Sequence, residues 1–257
     1  MIDLSRLDGR EAALAAHAGE LFADAASGAL AFPRFIGFLD EYGQEIVLTA
    51  AAAAGYRDAV LYGGFEGSER NYLGVFPEYM QPDPSEFPIT ALDFRFREAD
   101  SPSHRDFLGA MLALGIKREA VGDILVGSGE AVAFLSDPVA ELVKNELDRV
   151  GRVGVKVSER QANAPVPERQ FSELGGTVSS ERLDCVIALV TRLSREKASA
   201  LIASGAVRVN GCTEQSQSRQ LTEGDRLSIR GFGRYIVDRF GANTKKGRIH
   251  VTCKKYI

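Results

Sequence analysis

The sequence is poor in the residues that build metal sites and disulfide frameworks. Its 257 residues include no tryptophan, three histidines and three cysteines. Cys185, Cys212 and Cys253 lie far apart and form no Cys-x-x-Cys pair, which disfavours both a zinc ribbon and a disulfide-stabilised fold. The histidines also lack the spacing of a shared metal site. We therefore expect no metal and no cofactor.

Long hydrophobic runs are absent as well. No apolar stretch approaches the ~20 residues that a membrane-spanning helix needs. The first residues, 1–4, lack the basic start and apolar core of a signal peptide. The composition, 45% hydrophobic and 26% charged, is that of an ordinary globular protein. These features predict a cytoplasmic protein with no membrane partner.

Charge is distributed unevenly along the chain. Residues 1–80 contain 5 Lys and Arg against 12 Asp and Glu, and residues 81–165 contain 10 against 14. Residues 166–257 reverse the balance, with 16 basic against 9 acidic residues. A basic last third on an acidic body is typical of a protein that binds a polyanion at one end.

Hydrophobic periodicity and turn residues predict an α+β protein of three small domains, 1–82, 83–165 and 166–257. In the first domain we expect two helices, an aromatic turn and two strands. In chain order, these are helix 9–26, turn 32–39, a helix ending near 54 that Asp40 caps, and strands 59–62 and 72–76.

A glycine-rich loop, residues 63–70, joins the two predicted strands. It lacks the GxxxxGK[ST] pattern of a phosphate-binding P-loop and precedes a strand rather than a helix. We expect a tight turn there, with Arg70 as a candidate contact for RNA.

The second domain is predicted as β-α-β-β-α-β, the plan shared by ferredoxin-like and RRM domains. The strand near 122–126 is aliphatic, so the aromatic motifs with which an RRM reads bases are missing. His104-Arg105-Asp106 is interpreted as a helix start with a surface ion pair rather than as a catalytic group. Ser103 is expected to cap the first helix, which has Leu112 among its inward residues, and Asp137-Pro138 to begin the second. The expected elements are strand 89–97, helix 104–114, hairpin 122–126/131–135, helix 137–150 and strand 153–157.

The third domain combines apolar helices with basic residues at their starts. An apolar helix follows Arg182-Leu183-Asp184, and Ser194 is placed to cap a second helix that Gly205 ends. The first turn of that second helix, with Arg195 and Lys197, is suited to bind phosphate. The helices are followed by strand 207–209, the Asn210-Gly211 turn and strand 226–230, in which Arg208 and Arg230 point outward. Lys245, Lys246 and Arg248 are expected on a hairpin tip.

This order of helices, turns and strands resembles an S4 RNA-binding domain. Beyond it, Tyr62-Gly63-Gly64-Phe65, the segment 104–124 and the tail 228–248 are similar to the YlmH family of bacterial S4 proteins. The glutamine- and serine-rich segment 214–220 departs from the usual pattern. The resemblance implies a non-catalytic, ribosome-associated RNA-binding protein linked to large subunits that carry obstructed peptidyl-tRNA. The residues expected to bind RNA are Arg182, Asp184, Ser194, Arg195, Lys197, Arg208, Asn210, Arg230, Arg234, Lys245, Lys246 and Arg248.

Two other functions fit parts of the pattern. An RNA-modifying enzyme could use the basic domain for docking, since pseudouridine synthases place a catalytic aspartate in an Arg-Leu-Asp string. Here only ~70 residues follow Asp184, too few for a catalytic sheet, and no methyltransferase glycine loop is found. A cell-division scaffold is the other alternative, and it predicts little affinity for RNA. We expect a monomer that binds rRNA or tRNA and no small-molecule substrate.

Overall fold

The computed structural model describes residues 2–7, 9–161, 164–244 and 247–257. The protein is α+β and forms two compact units, Met1–Glu168 and Arg169–Ile257. Each unit contains its own hydrophobic core. The division of the chain into three domains stays a prediction. Among the described residues, no helix combines the length and the hydropathy needed to cross a membrane.

The first part of unit Met1–Glu168 places two helices against a three-stranded antiparallel sheet with the strand order β1-β3-β2. The carboxylate of Asp40 accepts a hydrogen bond from the Gly43 amide and starts the second helix, as expected. The elements are α1 (Gly9–Ala26), β1 (Arg34–Leu39), α2 (Glu41–Ala53), β2 (Val60–Tyr62) and β3 (Asn71–Val75).

Strand β1 occupies the segment for which the sequence predicts an aromatic turn, and that prediction was wrong. Pro33 and Gly37 are turn signals, but the backbone of β1 pairs with β3 over Arg34–Ile36. At Gly37 a side chain would crowd the hydroxyl of Tyr72, so the glycine permits close packing rather than a turn. Pairing with a distant strand overrode the local signal.

The second part has the predicted order strand–helix–strand–strand–helix–strand, with a short hairpin before the last strand. Its sheet is antiparallel with the order β5-β6-β4-β9. Ser103 and Asp106 form a capping box at the first helix. The elements are β4 (Ile89–Arg95), α3 (His104–Ala113), β5 (Val121–Val126), β6 (Glu130–Ser136), α4 (Asp137–Glu146), β7 (Arg149–Val150), β8 (Val153–Gly154) and β9 (Lys156–Glu159).

Three details of this part differ from the expectation. Helix α4 ends at Glu146 rather than near 150, because Leu147 is already extended. Asp137 is the first helical residue and accepts a hydrogen bond from Thr90 instead of capping the helix. Leu112, expected in the core, is 41% exposed, because helix α3 buries Phe107 and Met111 instead.

Aromatic residues join the two sheets of this unit. Phe38 and Tyr72 of the first part pack in one cluster with Leu125, Val132 and Phe134 on β5 and β6. Helices α3 and α4 cover the opposite face of β5 and β6. The central strands of the second sheet are therefore buried from both sides.

Unit Arg169–Ile257 packs two helices against one face of a six-stranded sheet with the order β10-β15-β14-β13-β11-β12. Strand β10 contains Gly175-Gly176, a pair typical of a kink or turn, yet the strand pairs with β15 without a break in register. A side chain at Gly176 would overlap Leu189 of the first helix, so this glycine permits close helix packing. The elements are β10 (Phe171–Val178), α5 (Leu183–Thr191), α6 (Arg195–Ala203), β11 (Val207–Val209), β12 (Cys212–Thr213), β13 (Arg226–Ile229), β14 (Gly233–Asn243) and β15 (Ile249–Tyr256).

Candidate nucleic-acid interface

Two arginines at the starts of α5 and α6 share one carboxylate. The Nε of Arg195 donates to Oδ2 of Asp184 at 2.8 Å, and the Nε of Arg182 donates to Oδ1 at 3.0 Å. The side chain of Asp184 is 3% exposed, whereas those of Arg182 and Arg195 are 35% and 54% exposed. The carboxylate therefore fixes two guanidinium groups side by side and leaves both open to solvent.

The position of Asp184 changes its expected role. Burial alone would raise the pKa of Asp184, but the hydrogen bonds from Arg182 and Arg195 outweigh it, and the pKa lies below its usual range. The carboxylate is thus charged at neutral pH and too buried to touch a phosphate. It holds the arginines rather than belonging to the contact surface itself.

The two helix starts differ in how many amides remain available. A helix leaves its first N–H groups without intrahelical partners. At α5 the amides of Leu183 and Asp184 donate to carbonyls of the 214–220 loop, so that end is occupied. At α6 the hydroxyl of Ser194 accepts from the Lys197 amide, which confirms the predicted cap. Within the described part of the chain, no residue accepts from the amides of Arg195 or Glu196, so α6 is the better place for an anion.

Arg192 adds a basic side chain that the sequence reasoning missed. It lies in the loop between α5 and α6, is exposed, and adopts a left-handed conformation with φ of 57°. Such a conformation is uncommon outside glycine and is favoured here because the chain must reverse between two helices. Basic residues at 192, 195 and 197, in the loop and the first turn of α6, were the signal available in the sequence.

The remaining predicted residues lie on the sheet. Arg208, Arg230 and Arg234 are exposed on or beside β11, β13 and β14. Asn210 is half-buried instead. Its amide donates to the buried Asp225 at 2.8 Å, so Asn210 fastens one turn to another and does not offer a free amide.

Arg248 is exposed just before β15, where its side chain donates to the backbone carbonyl of Thr177. Lys245 and Lys246, predicted on the same hairpin tip, lie outside the described residues.

Arg70, the candidate in the glycine-rich loop, is not available to RNA. Its guanidinium donates to the backbone carbonyls of Val121 at 3.0 Å and Phe38 at 2.7 Å. The buried Asp123 accepts from the amide of Glu69 at 2.6 Å. The glycine-rich loop 63–70 therefore connects the two sheets of its own unit through hydrogen bonds.

No group of three His, Cys, Asp or Glu side chains in the described ranges could hold a metal ion. Burial raises the pKa of the Cys253 thiol to about 12, so that sulfur is a neutral core group. The arrangement in this unit is suited to bind anions through arginines and amides.

Taken together, these features describe an α+β protein with an arginine-lined surface on its second unit. The family model described as "Putative RNA-binding domain in YlmH" matches residues 82–164. A relative from Bacillus subtilis (strain 168), "Ribosome-associated protein quality control protein P2", is 33% identical over 222 residues, which cover 85% of each chain. A solved structure, "Cell division protein ylmH from Streptococcus pneumoniae", shares the fold with a TM-score of 0.52 and 19% identity, over 65% of this chain and 99% of that one. The chain belongs to the YlmH family.

Proposed function

We propose that this protein is a non-catalytic RNA-binding protein that acts on the ribosome. In this proposal residues 166–257 form an S4 domain that follows an N-terminal α/β domain, 1–82, and a ferredoxin- or RRM-like domain, 83–165. The observation that carries it is the shared carboxylate of Asp184, which presents Arg182 and Arg195 together at the start of two helices. A pair of fixed guanidinium groups suits two neighbouring phosphates better than separate flexible cations do.

The shape of this surface favours structured RNA. Phosphate contacts from helix starts position a protein on a folded backbone without reading bases. Neither α5 nor α6 presents the row of Asn, Gln and Arg side chains with which a helix reads a DNA major groove. Folded rRNA or tRNA, recognised largely by shape, is therefore the proposed ligand.

The ribosomal role draws on the relative from B. subtilis, whose name describes ribosome-associated protein quality control. We extend this to the large subunit carrying obstructed peptidyl-tRNA, with the protein acting as a cytoplasmic monomer.

The family model calls 82–164 the putative RNA-binding domain, whereas the proposal places the main contacts in 169–257. Charge and burial favour the second region. Residues 82–164 carry 10 Lys and Arg against 14 Asp and Glu. The sheet face that an RRM would use, with Val132 and Phe134, is packed in the aromatic cluster. Contacts from 82–164 would have to come from its edges and loops and would supplement the basic unit.

The proposal is tested by the double substitution Arg195→Ala and Lys197→Ala in the full chain. Loss of two phosphate contacts should weaken binding to rRNA or tRNA by ~1–3 kcal/mol. It should also flatten the dependence of log K on log salt by about one to two units, because fewer counterions are released. Both effects are measured by filter binding or fluorescence anisotropy across a salt series.

A matched control removes two cations from the same unit whose charge is already balanced. Arg219 pairs with Glu214 at 2.9 Å and Lys254 pairs with Asp238 at 2.6 Å. Arg219→Ala with Lys254→Ala should therefore leave the salt dependence nearly unchanged. Equal losses in the two double variants would mean that only total charge matters and would contradict the assigned surface.

A further inference from the structure

The open face of the six-stranded sheet carries a row of side chains separate from the helix surface, which is the basic surface at the starts of α5 and α6. Val207 and Val209 are fully buried on the helix side, so Arg208 between them points to the other face. Ser228, between the buried Leu227 and Ile229, does the same. Within the described residues of this unit both helices pack on the core face, so this second face has no helix over it.

Strand register aligns these side chains across the whole sheet. Arg208 lies opposite Thr213 on one side and Ser228 on the other, and Ser228 lies opposite Arg234. The row continues through two aromatic rings on β15 and β10. In order across the sheet, its members are Thr213, Arg208, Ser228, Arg234, Tyr256 and Phe171.

The aromatic end of the row is a cluster of planar groups in contact with one another. The guanidinium carbon of Arg234 lies 4.5 Å from the ring centroid of Tyr256. The ring of Tyr256 lies 5.0 Å from that of Phe171, at an interplanar angle of 66°. Arg234 is exposed and both rings are half-buried, so planar groups remain accessible at the surface.

The neighbouring row of the same face has a different charge. It contains Lys254 beside Glu173, and Lys254 donates to Asp238 at 2.6 Å. That row also contains Arg226, but its Lys254 lies near two carboxylates, whereas the first row contains two arginines and no acid. A positive row with two rings matches a ligand that offers negative charge and flat faces at once.

We propose that this row binds unpaired nucleotides of RNA, whose bases stack on Tyr256 and the Arg234 plane while phosphates reach Arg208. Six strands at ~4.8 Å spacing give a row of about 24 Å, enough for several nucleotides. The proposal rests on the RNA-binding function proposed above and adds a second site, with a different kind of contact, to the helix surface. An acidic peptide would supply the charge but not the bases, and the test separates the two.

The test measures binding of the full chain to two probes at low salt: an octamer of adenylates, and the abasic octamer with the same phosphates. The adenylate octamer should bind about ten-fold more tightly, since stacking needs the bases. Tyr256→Leu should remove most of that preference without changing the salt slope, whereas Tyr256→Phe should retain it. Lys254→Ala, on the neighbouring row, should change affinity less than two-fold, because Lys254 is already paired with Asp238.

A spectroscopic signal completes the test. Because the sequence has no tryptophan, Tyr256→Trp introduces a single one, and its fluorescence should be quenched by the adenylate octamer but not by the abasic one. Equal binding of the two octamers, or an unchanged preference in Tyr256→Leu, would overturn the inference and show recognition of charge alone.

The outcomes also separate this site from the helix surface. The double variant Arg195→Ala with Lys197→Ala should bind structured RNA more weakly, while its affinity for the adenylate octamer should stay within two-fold of the parent. If that variant leaves structured RNA unaffected while Tyr256→Leu still weakens the adenylate octamer, the proposed function is misplaced but the stacking row stands. If Arg195→Ala with Lys197→Ala weakens binding of either ligand and Tyr256→Leu weakens neither, the stacking row is refuted and the proposed function stands.

Discussion

Arg70 and Arg195 are both arginines near a buried aspartate, but they have opposite uses. Arg70 donates to backbone carbonyls of its own unit, and the nearby Asp123 accepts backbone amides of the loop. Arg195 is held through one bond to Asp184 and is 54% exposed on its side chain. In the first case the guanidinium is used to satisfy the fold. In the second it is oriented and left open to a ligand.

This difference shows why counting charges does not identify a binding surface. A guanidinium has five N–H donors, and the number used internally determines how many remain for a ligand. Arg70 uses its guanidinium donors on backbone carbonyls of buried residues in its own unit. Substitutions at the two places should therefore have separable effects on stability and on RNA affinity.

The largest expected effect is on stability, from Arg70→Met. This change keeps much of the apolar stem but removes charged hydrogen bonds to the buried carbonyls of Phe38 and Val121, at about 1.5–3 kcal/mol each, and Val121 keeps a second donor, from Arg118. Urea unfolding of the first unit should show a loss of ~3 kcal/mol or more, with RNA affinity of the folded protein unchanged. Arg57→Met, at an exposed position of the same unit, is the control and should stay within about 0.5 kcal/mol. A clear fall in RNA affinity at unchanged stability would place Arg70 in the interface after all.

Asp184→Asn should affect both properties. The neutral amide loses the charged hydrogen bonds that orient Arg182 and Arg195, so unfolding free energy should fall by about 2 kcal/mol. Affinity for structured RNA should fall roughly ten-fold even though a negative charge has been removed. Tighter binding in this variant would show that net charge, not orientation, governs the surface.

The lowered pKa of Asp184 predicts how the stability of the protein depends on pH. Because the pKa of Asp184 is lowered in the folded protein, its contribution to stability is complete above the unfolded pKa of about 3.9 and is lost as pH falls through the lower folded value. The stability difference between the wild-type chain and Asp184→Asn should thus be constant from neutral pH to about pH 4 and close below it. Chemical unfolding at several pH values measures this. A gap that widens in acid would contradict the assigned sign.

The smallest expected effect is that of Ser194→Ala. Loss of the hydroxyl that accepts from the Lys197 amide should cost about 1 kcal/mol of stability. Ser194→Asp should restore it, since aspartate is also a favoured cap. Thermal unfolding of both variants measures this. Equal stability of the alanine variant and the parent would show that the Ser194 cap does not stabilise the protein.

Local signals predicted much of this fold, and contacts between distant residues account for what they missed. Asp40, Ser103 and Ser194 cap the helices where the sequence indicates, because capping involves residues only three positions apart. Strand β1 depended on pairing with the distant β3, for which one sequence contains no direct signal. Helix α4 ended early because Leu147 is extended and leads into the short β7–β8 hairpin, a feature that the sequence pattern did not indicate.

The site was predictable to a similar extent. Arg195 and Lys197 at a helix start follow from the sequence. The burial of Asp184 beneath Arg195 does not, because the two are brought together only when α5 packs on α6. The role of Arg70 was hidden for the same reason, since its acceptors come from residues 38 and 121.

The central claim is that affinity for structured RNA resides in the basic unit. The most direct measurement compares residues 1–168 and 169–257, each a compact unit with its own core, for binding to rRNA and tRNA from low to physiological salt. Residues 169–257 should retain most of the affinity and its steep salt dependence, while 1–168 should bind weakly. Tight binding by 1–168, with none by a folded 169–257 at low salt, would contradict the central claim and move the interface to the region that the family model names.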